Sequence, residues 1–145
     1  MIQELRIGNY VCCRIGIENA KKYSPFGVIV SISEAHTCAI NYNVPPEISS
    51  LFYKGKFEDD FTPITLTEDI ILKCGFVDNQ IELYEDLFLI VDEDDEYNVL
   101  LKTREVPGTS YVLPFIYLGT SIKHLHQLQN LYFALTGEEL ICNLK

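Results

Sequence analysis

Acidic side chains, which could recognise cationic groups, are concentrated in one stretch of this chain. Residues 58–105 hold fifteen Asp and Glu residues but only three Lys or Arg residues, a net charge of −12. The rest of the chain holds six acids and eight bases and is close to neutral. Carboxylates grouped in this way repel nucleic acid and attract basic partners. The residues predicted to carry such a contact are Glu58, Asp59, Asp60, Asp92, Glu93, Asp94, Asp95 and Glu96.

Two other chemistries for these acids are considered. The run 92–96 has the charge of a calcium loop, but it lacks the D-x-[DN]-x-[DN]-G spacing and the closing Glu. It therefore predicts a solvated hairpin tip, which also discourages pairing between sheet edges. Two carboxylates at a suitable separation could act as an acid–base pair. The chain has no G-x-S-x-G, P-loop or G-x-G-x-x-G motif, so no catalytic residue and no cofactor are predicted, and an enzyme of unknown type remains a second alternative.

Histidines and cysteines are considered as metal ligands, since they are the usual ligands of zinc. His36 and Cys38 could share one face of a strand, which gives two ligands at most, whereas structural zinc takes four. His124 and His126 are two residues apart, so on one helix they would point about 200° away from each other. No metal site is predicted. The odd number of cysteines and the absence of a secretory signal predict reduced thiols. The cysteines are Cys12, Cys13, Cys38, Cys74 and Cys142.

Two short basic segments with aromatic neighbours offer an alternative function. They contain Lys21, Lys22 and Tyr23 in one segment and Lys54 and Lys56 in the other. Basic and aromatic side chains together are typical of RNA-binding surfaces, although the acidic stretch opposes the approach of phosphates. If the two segments converge, a weak RNA-binding face is expected on the near-neutral half.

These residues must be positioned by a single domain of residues 1–145, because single domains are commonly about 100–150 residues long. The chain is 48% hydrophobic and has seventeen Tyr and Phe residues, which indicates a true core. Many strand patterns and few helical ones predict the α+β class: a strongly bent antiparallel sheet or small β-barrel with two helices, the longer one C-terminal. A long exposed loop is expected over 43–62, with a helical turn over 48–53. The predicted strands are 5–17, 27–33, 37–42, 81–84, 87–91, 97–103, 111–118 and 140–144. The strands 27–33 and 37–42, separated by a short polar link, are expected to form a hairpin.

A short first helix is predicted to start near Leu66. Thr65 with Glu68 three residues later fits a capping box, and Gly75 is placed to end the helix. Pro63 lies just outside this helix. The segment should present a small apolar face to the sheet.

The second helix is predicted before Gly137, which would end it, with Thr120 or Ser121 as its cap. Four apolar side chains lie within about 80° of one another on this helix. Two more, Leu131 and Phe133, are expected to widen the apolar stripe. The four are Leu125, Leu128, Tyr132 and Leu135.

Targeting signals are not apparent in the sequence. The first residues lack a basic region followed by an apolar run. The longest apolar stretch, 111–119, is broken by Pro114 and is far shorter than the ~20 residues that span a bilayer. We therefore expect a cytoplasmic protein without a membrane segment.

Three segments resemble those of a known protein group. They are the opening 4–11 (ELRIGNYV), the middle segment 62–76 with its PI-x-LTE and K-x-GF motifs, and the tail 126–140 (HQLQNLYFALTGEEL). In this order they resemble small uncharacterised proteins encoded by phages and prophages of Bacteroides-type bacteria. The resemblance implies the cytoplasm of a bacterial host and an accessory phage gene, and it transfers no catalytic residue.

The function expected from these observations is that of a non-catalytic acidic protein. It would bind a basic surface of a host protein, and in a phage setting an attractive target is a nucleic-acid-handling defence complex of the CRISPR type. Acidic side chains would compete there with phosphates for Lys and Arg. An RNA-binding or regulatory small barrel is the alternative.

Overall fold

The computed structural model describes residues 5–13, 26–32, 37–41, 52–55, 61–92, 97–103 and 115–144. These residues form two antiparallel sheets and two helices, and the longer helix is C-terminal. One part of the β-structure is strongly curled into a half-barrel. The predicted α+β class is therefore confirmed.

The first sheet has five antiparallel strands in the order β4-β3-β2-β1-β5. The predicted hairpin of the second and third strands is confirmed, with Val28 opposite Ile40. A register shift between Ile29 and Ser31 marks a bulge, which bends and twists the strand. The strands are β1 (Tyr10–Cys13), β2 (Phe26–Ile32), β3 (Thr37–Asn41), β4 (Phe52–Gly55) and β5 (Phe61–Pro63).

The second sheet is a four-stranded meander in which each strand pairs with the next along the chain. Its inner face carries Leu89, Val91 and Val99, all fully buried, so alternation along these strands fixes which side faces the core. Register shifts occur in β6 and in the β8–β9 pairing. The strands are β6 (Gln80–Tyr84), β7 (Leu87–Asp92), β8 (Tyr97–Thr103) and β9 (Phe115–Ile122).

The first helix, α1 (Glu68–Lys73), begins two residues later than predicted. Thr67 is the N-cap, and its hydroxyl accepts a hydrogen bond from Ile70 N at 3.3 Å. The predicted capping box at Thr65 is wrong because Thr65 forms an isolated β-bridge with His124 instead. Gly75 follows the helix with a φ of +85°, so its predicted role in ending α1 is confirmed.

The second helix, α2 (Leu125–Thr136), has His124 as its N-cap. The predicted caps Thr120 and Ser121 are wrong because β9 continues through both residues. The Gln127 side-chain oxygen instead accepts from the backbone N–H groups of Lys123 (2.9 Å) and His124 (3.1 Å). Gly137 ends α2 as predicted, with a φ of +74° and a hydrogen bond from its N–H to Phe133 O at 2.7 Å.

Other predicted boundaries of strands, turns and loops also differ from those in the structure. The expected helical turn over 48–53 is wrong at Phe52 and Tyr53, which lie in β4, and the expected loop also contains the start of β5. Strand β9 is described from Phe115, so residues 111–114 of the predicted strand lie outside the described residues. Residues 140–144 form no regular strand, although they alternate between buried and exposed.

The main core lies between the inner face of the second sheet, the two helices and the segment after α2. Tyr10 and the half-buried Cys12, Phe26 and Val28 extend it to the first sheet. Of the predicted α2 stripe, Leu125 and Leu128 are fully buried, and Leu131, Tyr132 and Leu135 pack against the core. Phe133 does not widen this stripe, since it is 41% exposed.

Candidate functional site

The edge strand β6 and its neighbouring turns carry most of the described carboxylates. We call Asp78, Glu82, Glu85, Asp86 and Asp92 the acidic edge. Within β6, Ile81 and Leu83 pack on the core while Glu82 points outward and is exposed. Four members are exposed, and Asp92 at the end of β7 is half-buried.

The acidic edge runs along the whole β6–β7 hairpin. Glu85 and Asp86 form the turn that joins the two strands. At the opposite end, Val91 N donates to Asn79 O at 2.9 Å, which brings the residues before β6 beside the end of β7. A strand of five residues spans roughly 17 Å, so the carboxylates are spread over about this length. They form a strip and not a compact cluster.

Turn geometry explains part of this acidic composition. Asp78, Asn79 and Asp86 have φ values of 49°, 59° and 65°. Asn and Asp occupy this left-handed region more readily than other residues with a side chain. The Asp86 N–H also donates to the Glu82 carboxylate at 3.4 Å. Some of these acids therefore contribute to forming the hairpin, whatever they bind.

The acidic edge is attached to α2 through Tyr84. The Tyr84 hydroxyl donates to Leu135 O at 3.0 Å, near the end of the helix. Nearby, burial raises the pKa of the Tyr132 hydroxyl, and the charges of Glu138 and Tyr84 raise this pKa further. The hairpin that carries the strip is therefore hydrogen-bonded to the end of α2.

Of the acidic residues predicted to bind a partner, Asp92 is the one that lies within the described part of the chain. It pairs in register with Asn98 of β8, which confirms the predicted hairpin on either side of the acidic run. Seven predicted contact residues lie outside the described residues: Glu58, Asp59, Asp60, Glu93, Asp94, Asp95 and Glu96. Sequence reasoning did not single out Glu82, Glu85 or Asp78, because no motif distinguishes them from other acids in the stretch.

The alternative RNA-binding set is also only partly described. Lys54 lies in β4, opposite Cys38 of β3. Lys21, Lys22, Tyr23 and Lys56 lie outside the described residues. Convergence of the two basic segments therefore remains a prediction.

The two histidines near α2 contradict the helical-wheel argument. Their rings are stacked, with centroids 5.5 Å apart and planes inclined by 12°. The prediction that they point apart is wrong because His124 precedes the helix and has an extended backbone (φ −130°, ψ 149°). Within the described ranges, no group of three or more His, Cys, Asp or Glu side chains could hold a metal ion. His36 lies outside those ranges, so its pairing with Cys38 is untested.

Two of the cysteines are joined. Cys74, the C-cap of α1, forms a disulfide with Cys142 in the segment after α2. The prediction of reduced thiols is therefore wrong for this pair. Cys12 is a free thiol on β1, and burial raises the pKa of this thiol. A raised pKa lowers the thiolate fraction at neutral pH and makes Cys12 a poor nucleophile.

A partly buried polar cluster was missed by sequence reasoning. Its centre is Arg6, whose guanidinium forms a two-pronged ion pair with Glu139 and donates from Nε to Asn130 Oδ1 at 2.7 Å. The same guanidinium lies over the ring of Phe133, 4.3 Å from its centroid. We call Arg6, Asn9, Gln129, Asn130 and Glu139 the Arg6 cluster.

Amide side chains complete this cluster. Gln129 is almost fully buried; its oxygen accepts from Tyr10 N at 2.9 Å and its nitrogen donates to Gly8 O at 3.3 Å. Asn9 donates to Asn130 Oδ1 at 3.0 Å. Gly8 has a φ of +94°, and a Cβ there would lie 3.2 Å from the Glu139 carboxylate. The positive φ therefore favours glycine, and a larger residue would also require a small shift of the Glu139 carboxylate.

The Arg6 cluster joins the residues before β1 to α2 and to the turn after it. The contacts bring together the opening and tail segments that carry the sequence resemblance. The middle segment bonds to residues just before the tail, since Leu66 N donates to Lys123 O and Leu125 N to Ile64 O, both at 2.9 Å. These motifs therefore contain residues that hold the elements together.

No protein-family model, curated protein or solved structure matches this chain. Among the helices that the structure describes, none is long and apolar enough to cross a membrane. Function must therefore be inferred from the side chains themselves.

Proposed function

We propose that this protein is a non-catalytic binding protein whose acidic edge docks on a basic surface of another protein. One observation carries the proposal: exposed carboxylates follow the edge hairpin β6–β7 over its whole length. The chain has a net charge of −10, so the field of the whole molecule also favours a cationic partner.

The edge position of β6 adds a second source of affinity. Among the described strands β6 is paired with β7 alone. Val77 bonds to the outer side of Gln80, and the rest of the outer side of β6, with its backbone N–H and C=O groups, pairs with no described strand. An extended segment can add to such an edge through main-chain hydrogen bonds. A Lys- or Arg-rich segment laid along β6 would combine these bonds with contacts to Glu82 and the carboxylates at either end.

Charge pairs formed by an exposed strip mainly change the rate at which the partners associate. Salt screens exposed charges over about 8 Å at physiological ionic strength, so the attraction weakens as salt rises. Rim charges chiefly change the association rate, whereas buried contacts change dissociation. We therefore expect binding that is fast and strongly salt-dependent.

The proposed partner is a host complex that handles nucleic acid, such as a CRISPR-type effector, in the cytoplasm of a bacterial cell. The support is the resemblance to phage proteins together with the acidic edge. Channels that bind nucleic acid are lined with Lys and Arg, which neutralise phosphates. Carboxylates on a rigid hairpin could occupy the same side chains and so inhibit the complex.

The test measures the dissociation constant of the full chain for a purified CRISPR-type effector and for a Lys/Arg-rich peptide at increasing salt. The triple variant Asp78→Asn, Glu82→Gln and Glu85→Gln removes three charges from the acidic edge. We expect affinity to fall at least about 10-fold, or about 1.4 kcal/mol. The control Glu68→Gln with Asp69→Asn removes two charges from the first turn of α1 and should change affinity less than about 2-fold.

Equal losses in the two variants, or binding that survives the triple change, would rule out the acidic edge as the docking surface. The same chain is tested for RNA by gel shift. Salt-sensitive RNA binding that disappears in Lys54→Glu with Lys56→Glu would favour the alternative RNA-binding function.

A further inference from the structure

The disulfide joins two parts of the chain that are far apart in sequence. Cys74 and Cys142 are separated by 68 residues, and the loop between them includes the second sheet and α2. Both side chains are buried, at 2% and 0% exposure. The bond therefore connects the end of α1 to residues 138–144, which we call the latch segment.

Apart from the disulfide, the latch segment is held by noncovalent contacts with the rest of the chain. Asn143 N donates to Lys73 O at 2.8 Å, and Glu139 pairs with Arg6. Leu140 and Leu144 are buried in the main core, whereas Ile141 between them is 69% exposed. The segment has no regular secondary structure, so it has no hydrogen-bond ladder of its own.

We infer that Cys74 and Cys142 form a reversible redox latch. In the oxidised protein the latch segment is held covalently on the end of α1. In the reduced protein it keeps noncovalent contacts alone, among them the buried Leu140 and Leu144 and the partly exposed Arg6–Glu139 ion pair. A segment without regular secondary structure opens at a lower free-energy cost than the core strands and helices. The inference is independent of the proposed binding function.

The redox step is a thiol–disulfide exchange with a low-molecular-weight thiol such as glutathione. One thiolate attacks a sulfur of the disulfide and forms a mixed disulfide, and a second thiolate displaces the protein sulfur. Two thiols are oxidised to one small disulfide, and the protein disulfide takes up two electrons and two protons to become two cysteines. Because both protein sulfurs are buried, attack requires the latch segment to open first.

Release of the latch segment has a structural consequence. Leu140, Cys142 and Leu144 belong to the same core as Ile71 and Phe76, so their departure exposes apolar surface near the end of α1. The second sheet and the body of α2 keep their own ladders and packing. Reduction should therefore open one region of the protein and leave the rest folded.

Hydrogen exchange on the full chain tests this inference directly. The protein is equilibrated with oxidised or with reduced glutathione, and peptide mapping under non-reducing conditions counts the linked and free cysteines. Exchange is then followed by mass spectrometry. On reduction we expect amides of the latch segment, including Asn143, to exchange at least 10-fold faster, while Leu89–Val91 and Leu128–Leu131 keep their protection.

Two variants serve as controls. Cys142→Ser should exchange rapidly in the latch segment whether or not thiol is present, and Cys12→Ser should keep the redox response of the wild type. If Cys142→Ser does not fold, hydrogen exchange of the oxidised and reduced wild-type chain still tests the latch, because this comparison needs no substitution.

Three results would overturn the latch. Cysteines 74 and 142 could remain free thiols in oxidised glutathione. The latch segment could exchange equally in both forms. Protection could instead be lost from β7 and α2 together with the segment, which would make the disulfide a staple for the whole fold.

Discussion

At the scale of single residues, Arg6 is the side chain with the most varied contacts in the described structure. It combines an ion pair to Glu139, a hydrogen bond to Asn130 and a cation–π contact with Phe133. Arg suits this position because its planar guanidinium offers several donors and a flat face at once. Lys in its place could not make all three contacts.

We expect Arg6→Ala to lower the free energy of unfolding by about 2 kcal/mol, since hydrogen bonds of charged groups contribute about 1.5–3 kcal/mol. A double-mutant cycle with Glu139→Ala should give a coupling of about 1 kcal/mol, modest because the pair is partly exposed. The measurement is urea unfolding of the four proteins.

The matched control is the cycle Asp69→Ala with Lys73→Ala, an exposed i,i+4 pair on α1. Its coupling should be about 0.3–0.5 kcal/mol. A coupling at Arg6–Glu139 no larger than this would show that the cluster does not brace the fold.

At the scale of elements, helix starts are set by side chains close to the first turn. The Thr67 hydroxyl satisfies Ile70 N–H at the start of α1. The Gln127 carboxamide reaches back to two N–H groups before α2. These bonds decide where each helix begins, and they compete with the strands and bridges that precede it.

Thr67→Ala should therefore destabilise the protein by about 1 kcal/mol, the usual value for a lost N-cap. Thr67→Ser keeps the hydroxyl and should lose less than half of that. Thermal unfolding of the two variants checks the prediction. Substitution of Thr65, the cap expected from the sequence, should not reproduce the effect of a lost helix cap, because Thr65 lies outside α1.

At the scale of the whole molecule, the disulfide is the covalent cross-link between side chains that the structure describes. Closing a loop of 68 residues restricts the unfolded chain. Reduction should lower the free energy of unfolding by about 2–4 kcal/mol, within the stability of a typical domain. Urea unfolding with and without a non-thiol reductant measures this difference.

The Cys12→Ser variant provides the comparison for that experiment, since Cys12 is a free thiol and has no bond to lose. It should show the same difference on reduction as the wild type. If reduction leaves the midpoint of wild-type unfolding unchanged, the bond does not constrain the unfolded chain as the entropy argument requires.

The sequence correctly predicted the elements that depend on residues close together along the chain. The strand 97–103 matches β8 to the residue, and Gly75 and Gly137 mark where the helices stop. The hairpin of β2 and β3 also followed from a β-branched run and a second strand pattern after a short polar link. These features depend on nearest neighbours, which a sequence contains directly.

The errors share a physical cause, which is competition from distant parts of the chain. Ser121 could cap a helix, but pairing with Asn98 keeps it in β9. Phe52 was expected in a helical turn, but pairing with Ile40 makes it part of a strand. In each case a bond to a distant strand outweighed a local preference.

Composition and local spacing determined the class of fold, the surplus of acid between residues 58 and 105, and the two glycines that end the helices, because these depend on residue type and on neighbours along the chain. Only the tertiary structure decided that Arg6 meets Glu139, that Cys74 meets Cys142, and that acids in separate turns line one edge hairpin. Those contacts join residues up to 133 positions apart. Packing of the whole core sets such distances, and no local pattern records them.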